Sequence, residues 1–245
     1  MLDYSVEGAK TEEGFDETTQ EILRTIEKAK GNDALPFCVF KVTGMADTPL
    51  LAKKHSGEAL TADEVAAFAR VHDRVDAVCK KAFENDVHIL VDAEETWIQD
   101  PIDHLAYEMM KKYNRQKAIV FNTFQMYRND MSSRLREAHQ QAVKENYFLG
   151  VKLVRGAYME KEAARAEKLD YENPIHATKE DTDKAFNKGL TFCVDNVKTI
   201  SLMCGSHNDY SNRFSYSARR KARTETKRPP HLVWTAAGHE RSYFV

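Results

Sequence analysis

No stretch of the sequence approaches the ~20 consecutive apolar residues of a membrane-spanning helix. The opening residues, MLDYSVEGAKTEEG, are acidic and lack the apolar segment of a secretory signal. Cysteine is scarce, and Cys38, Cys79, Cys193 and Cys204 stand far apart with no Cys-x-x-Cys. That spacing argues against a disulfide framework or a zinc site, and reads as buried thiols kept reduced in a cytosolic protein. Neither sign of charge prevails: 36 basic residues face 38 acidic ones, so no overall field favours nucleic acid or a membrane surface. What the chain does have is apolar content. Hydrophobic residues make up 42%, enough for a substantial core and too many for a disordered chain. The 245 residues accommodate one large domain or two small ones.

Short β-rich runs alternate with amphipathic stretches. LDYSVE (2–7) reads as a strand and FDETTQEILRTIEKAK (15–30) as a helix, with Phe15, Thr19, Ile22, Leu23 and Ile26 near one face. Asp16 is the expected N-cap and Gly31 the expected stop. PFCVFKVTG (36–44) is too β-branched and aromatic for a good helix. A long helical region follows, in which Thr61 and Glu64 have the spacing of a capping box. The pattern then becomes regular: strands at 88–96, 118–127, 148–158 and 200–209, and helices at 100–116, 129–147, from 158 to about 169, and 178–197. Apolar runs of this kind are buried on both faces, as in parallel sheets. About six βα units imply a doubly wound sheet or a β/α barrel. No GxGxxG follows the first strand, which favours the barrel.

In β/α barrels chemistry sits where strands end. That rule selects Lys41, Asp92 with Glu94 and Glu95, Asn122 and Gln125, Lys152 with Arg155, and Ser206-His207-Asn208. Each has a bland alternative: an edge lysine, a solvated acidic loop, a satisfied core histidine. Their joint occurrence at the same ends is what argues for a site. Three carboxylates and a histidine could hold a metal, but strand alternation puts Glu95 on the face opposite Asp92 and Glu94. Several cations plus amides suit an anionic ligand better: a phosphate-bearing cofactor and a carboxylate substrate.

In order, FKVTG, LVDAEET, FNTFQMY, VKLVRGAY, PIHATKEDTD and CGSHND resemble proline dehydrogenase, most closely its single-function members. The resemblance covers residues 2–212. It implies a (β/α)8 TIM-type barrel, of which about six βα units lie in this chain, that uses FAD to oxidise L-proline to 1-pyrroline-5-carboxylate. Electrons would pass to a quinone, with peripheral membrane association. The location implied is the cytoplasm or inner-membrane surface of a bacterium, or the mitochondrion of a eukaryote. By the same resemblance Lys41 contacts the substrate carboxylate, Asp92 organises the cationic groups beside it, and Tyr158 lines the active-site side. Asn122 meets the flavin through its amide, and Lys152 is the cation at the flavin's reactive edge. Val154 and Gly156 offer backbone contacts, with Gly156 allowing close approach. Lys179 lies near the cofactor phosphates, where the family's threonine is replaced by Ala177. Ser206 and His207 contact the cofactor at the end of strand 6.

After Asn212 the resemblance stops. Residues 213–245 are basic, aperiodic and interrupted by Pro229-Pro230, and read as a disordered tail beyond a barrel portion at 1–212. RKARTET and HLVWTAAGHERSYF can be encoded so that one shifted frame gives EKHGLK and IWFGQLLGMSDHIS, which resemble the family's helix 6 and strand 7. The expectation is therefore a frameshift near Asn212 and a start that lacks the family's N-terminal helices. The family's final helix carries a Tyr-x-x-Arg-Arg motif that clamps the proline carboxylate, and no such motif follows Asn212 in strand and helix context. Two readings stay open: an active proline dehydrogenase and an inactive fragment of one. The tail is expected not to pair with the edge beside ISLMCG.

Overall fold

The computed structural model describes residues 2–3, 10–206 and 233–235, and separates into two compact units, Met1–Asn122 and Thr123–Val245. In the first unit the strands are β1 (Leu2–Asp3), β2 (Phe37–Phe40), β3 (His88–Val91) and β4 (Val120–Gln125), the last straddling the unit boundary. They pair in parallel and in chain order, with Phe40 beside Val91 and Val91 beside Asn122. Parallel strands require crossovers, and helices supply them here: α1 (Glu12–Ala29), α2 (Thr48–Ser56), α3 (Ala62–Glu84) and α4 (Thr96–Tyr113). Strictly sequential order is the winding of a β/α barrel, whereas a doubly wound sheet reverses direction.

Residues 37–40 are all buried, so β2 is covered on both faces, as its unbroken apolar run requires. The Phe37 ring meets Phe121 edge-on, with centroids 5.6 Å apart. Helix α1 packs on α3 and β2, burying Ile22 and Ile26 completely, at roughly 1.5–3 kcal/mol per side chain. Its N-cap is Thr11, whose hydroxyl accepts from the Gly14 N–H, and not Asp16. Asp16 instead accepts from Nε of the buried Arg74 at 2.7 Å, and Glu12 accepts from the same guanidinium. Gly31 ends this helix in the left-handed region, as expected. The capping box of α3 is present: Thr61 N–H donates to Glu64 Oε2 at 2.7 Å, and Glu64 N–H to Thr61 Oγ1 at 3.3 Å.

Helix α4 starts at Thr96, four residues before the expected 100. Asp100-Pro101 has the composition of a helix start, yet Pro101 lies in the helix interior. Burial of Ile98, Ile102, Leu105 and Ala106 overrides the local preference.

The second unit contains α5 (Met131–Glu145), β5 (Leu149–Val154), α6 (Met159–Leu169), α7 (Lys179–Asp195), β6 (Ile200–Cys204) and β7 (Val233–Thr235). Strands β5, β6 and β7 are parallel and sequential; Lys152 pairs with Met203, and Met203 with Trp234. The expectation that the tail leaves β6 unpaired is thereby corrected at Val233–Thr235. Residues 213–232 and 236–245, and His207, lie outside the described residues. All four cysteines are buried and none forms a disulfide among the described residues, and burial pushes the Cys38 thiol up to about 11. Among the described residues no helix is long and apolar enough to cross a membrane.

Candidate active site

In the first unit the parallel register sets the carboxyl ends of β2 and β3 level with Asn122, inside β4. Lys41 directly follows Phe40, half-buried, at the start of a short 3-10 turn, Val42–Gly44. Asp92 directly follows β3, and its N–H donates to the Phe40 carbonyl at 2.9 Å, so the exits of β2 and β3 are joined through backbone. Asn122 pairs with Val91 and is fully buried. Lys41 and Asp92 thus follow neighbouring strand ends, whereas Asn122 lies inside β4, level with the end of β3.

The alternation argument for Asp-Ala-Glu-Glu fails, because β3 ends at Val91 and the loop that follows is not extended strand. Glu94 is the buried carboxylate of the set, at 3% exposure; Asp92 and Glu95 are half-buried. Thr43 clasps Glu94 with both its groups. Its N–H donates to Oε1 at 3.1 Å and its hydroxyl donates to Oε2. Burial nevertheless pushes the carboxyl up to about 7, outweighing those bonds and the attraction of Lys41.

Three residues of this unit were not foreseen. Gln99 Oε1 accepts from the Glu94 N–H at 2.7 Å, and Gln99 Nε2 donates to Asp103 Oδ1 at 2.7 Å. Asn122 Nδ2 donates to the same Asp103 oxygen, also at 2.7 Å. Thr43 is the third. The sequence signal for Gln99 and Asp103 was their i,i+4 spacing, which places them on one helical face with buried Ile102 and Ala106. The Oδ1 of Asn122 is buried and accepts no hydrogen bond among the described residues.

In the second unit Lys152 lies within β5 at 9% exposure, between Val151 and Leu153. The carbonyls of Val154 and Arg155 accept from the N–H groups of Met126 and Tyr127 at 2.8 and 2.6 Å, and Gln125 Oε1 accepts from the Ala157 N–H at 3.2 Å. Arg155 is the hub. Its Nε donates to Asp183 Oδ1 at 2.5 Å and one terminal nitrogen donates to buried Ser206 Oγ at 2.9 Å. Its guanidinium carbon lies 4.4 Å from the Phe186 ring centroid. Lys179 Nζ donates to Asp183 Oδ2 at 2.7 Å. Arg155 and Lys179 are therefore brought together through Asp183, which the sequence reading missed, and Ser206 joins them through Arg155. The ammonium of Lys179 and then the guanidinium of Arg155 hold the Asp183 carboxyl below its usual range.

Two local features stand beside the expected cofactor contacts. Gly156 has φ +146°, and a Cβ on it would fall 2.3 Å from Tyr127 Cγ. The space left by the missing side chain is used by the Tyr127 ring of the protein itself. Thr178, beside Ala177, is committed as N-cap of α7, accepting from the Asp181 N–H at 3.1 Å. Tyr158 flanks the start of α6, half-buried, with the Lys161 ammonium 5.2 Å from its ring centroid. Among the described residues no three His, Cys, Asp or Glu side chains are grouped to hold a metal ion.

A family model described as proline dehydrogenase matches residues 1–235, running past Asn212 where the residue-by-residue resemblance ends. The carbapenem antibiotics biosynthesis protein CarD of Pectobacterium carotovorum subsp. carotovorum is 34% identical over 211 residues, covering 86% of this chain and 55% of that protein. Proline dehydrogenase 1, mitochondrial, of Arabidopsis thaliana is 33% identical over 264 residues, covering 91% of this chain and 52% of that protein. The chain spans about half the length of these curated relatives. Among solved structures, proline utilization A from Bdellovibrio bacteriovorus, inactivated by N-propargylglycine, superposes with a TM-score of 0.74 at 18% identity, covering 89% of this chain and 24% of that one. The fold is accordingly that of the β/α barrel expected from the sequence, with about six βα units in this chain.

Proposed function

Because the chain belongs to the proline dehydrogenase family, we propose that it forms the flavin- and substrate-binding barrel of an enzyme that oxidises L-proline to 1-pyrroline-5-carboxylate with FAD. A quinone is the proposed electron acceptor, at a membrane surface that the protein meets peripherally.

The observation that supports this reading most directly is the buried Asn122 Oδ1, which has no donor among the described residues. An acceptor stripped of water and left without a partner destabilises the fold by about 1–3 kcal/mol unless something supplies a hydrogen. It stands in β4 beside the last residue of β3, at the position whose amide, by the family resemblance, meets the flavin. The donor set fits as well: Lys152 is a buried cation, and Lys179 and Ser206 are gathered around Asp183 and Arg155. Asn122, Lys152, Val154, Lys179, Ser206 and His207 would hold the cofactor. The structure supports a packing role for Gly156.

The chemistry supplied by bound FAD is acceptance of a hydride equivalent from the substrate C5, as the ring nitrogen gives up its proton. Lys41 attracts the substrate carboxylate, as a point charge on a flexible stem. Asp92, on the adjoining strand end, balances and orients the cations that bind that carboxylate. Lys152 is fixed within a strand, so its charge needs no reorganisation as negative charge develops on the electron acceptor. Tyr158 closes the substrate side.

Lys152→Ala should lower the limiting rate of flavin reduction by proline at least about tenfold, while changing proline affinity much less. Anaerobic stopped-flow reduction of the FAD-loaded chain tests this. A chain that retains no flavin, or a Lys152→Ala variant with an unchanged limiting rate, would overturn the proposal.

A further inference from the structure

We propose that a hydrogen-bond relay of fixed polarity, from Glu94 through Gln99 and Asp103 to Asn122, locks the Asn122 amide as an acceptor, so that this position in β4 selects a ligand carrying an N–H donor. Asp103, on helix α4, is then the positioning residue of the cofactor site, acting through Asn122.

An asparagine amide can be turned either way, donor for acceptor, so its orientation has to be fixed by its surroundings. Here the fixing begins at a group with no choice. The Glu94 backbone N–H can only donate, and it donates to Gln99 at 2.7 Å. The Gln99 atom receiving it must be the carbonyl oxygen. Gln99 therefore turns its NH2 group to Asp103, 2.7 Å away. Asp103 Oδ1 is thereby an acceptor, and the Asn122 atom 2.7 Å from it must be Nδ2. By elimination Asn122 Oδ1 is the remaining atom, and it is the one left buried without a partner among the described residues. Gln99, Asp103 and Asn122 are each at least nine-tenths buried, so water does not compete for these bonds.

The identity of the donor rests on the flavin reading above. The oxidised isoalloxazine ring has a single N–H, on the imide nitrogen between its two carbonyls. Replacing that hydrogen with a methyl group removes the one ring donor that Asn122 can accept. A site built around a buried acceptor rejects an analogue lacking the donor, because the acceptor is then left unpaired.

The test is a fluorescence-quenching titration of the full chain with FAD and with N3-methyl-FAD. The wild type should prefer FAD by about 10–100-fold. Asp103→Ala frees the amide to turn and should shrink that preference to about twofold or less. Asp103→Asn keeps a carbonyl oxygen for both bonds and should restore most of it. Equal affinities in the wild type, or an undiminished preference in Asp103→Ala, would overturn the relay. A second measurement needs neither flavin nor the variant: the side-chain amide protons of Asn122, identified by their loss in Asn122→Asp, should exchange slowly in the wild type. Fast exchange there would also overturn the relay. Slow exchange in a chain that binds neither flavin would uphold the relay while removing the flavin reading.

Discussion

Glu94→Gln should remove a specific pH dependence from the stability of the fold. The Glu94 carboxyl is raised from 4.5 to about 7, chiefly by burial. In the unfolded chain the proton leaves near the ordinary value; in the folded protein it stays until about neutral pH. Below 4.5 both states are protonated and burial carries no ionic penalty. Between 4.5 and 7 the folded state binds more protons than the unfolded one, so stability falls as pH rises. Above 7 both states are ionised and the whole penalty is present. At about 1.4 kcal/mol per tenfold, that penalty is about 3 kcal/mol. Glutamine has the same shape and does not titrate. Its oxygen can accept from the Thr43 N–H and its NH2 can donate to the Thr43 hydroxyl, so both contacts to the turn survive.

The measurement is urea unfolding of wild type and variant from pH 4.5 to 8. Carboxylates with lowered pKa, Asp130 and Asp183 among them, change stability in the opposite sense, being stabilising above their unfolded pKa and less so as pH falls. They are common to both proteins and cancel in the difference. The variant should gain on the wild type by about 3 kcal/mol across that range, most steeply between pH 5 and 7. A difference constant to within about 0.5 kcal/mol would refute the reasoning, since it would mean that the Glu94 carboxyl ionises in the folded protein as it does in water.

Two further perturbations probe the second unit. Gly156→Ala should destabilise by about 2–4 kcal/mol, combining strained backbone with overpacking against Tyr127. In a double-mutant cycle with Tyr127→Ala only the overpacking share should be recovered, and strictly additive effects would show that the ring is not what Gly156 accommodates. Arg155→Met should raise the Asp183 carboxyl toward its ordinary value, as followed by carboxyl NMR, and weaken flavin retention about tenfold by releasing Ser206. An Asp183 titration unmoved by the substitution would contradict the hub assigned to Arg155.

Features encoded over a few residues were legible in the sequence. The capping box needs only Thr61 and Glu64 three apart, and β2, β3 and β5 are too apolar and β-branched to be anything but buried strands. Strand ends were legible too, because a charge directly after an apolar run has few other uses; Lys41 and Asp92 follow their strands in this way, whereas Lys152 lies inside β5. Errors arose where one residue had two qualified uses. Asp16 is a sound N-cap by type, but Arg74, 58 positions later, takes it as an ion-pair partner, and Thr11 caps the helix. Asp100-Pro101 is a sound helix start by type, but the buried face of α4 extends the helix back to Thr96. In each case a tertiary contact decided between local options that composition alone leaves equal.

The relay at Asn122 was illegible for a further reason. Residue types can suggest that Gln99, Asp103 and Asn122 are polar and near apolar neighbours, but hydrogen-bond direction is not a property of any one of them. It is inherited from the backbone N–H of Glu94, passed along α4, and received on a different strand. In DPIDHLAYEMM, Asp103 reads as an ordinary helical surface charge, and its burial follows only from where α4 packs. Lys41 and Lys152 can be recognised by the charge they bring; Asp103 matters for the orientation it imposes on something else. Substitutions at Asp103 and Gln99 should therefore alter which flavin is accepted before they alter how fast one is reduced, whereas substitution at Lys152 should do the reverse. That split separates residues that build the acceptor from those that act on the reacting charge.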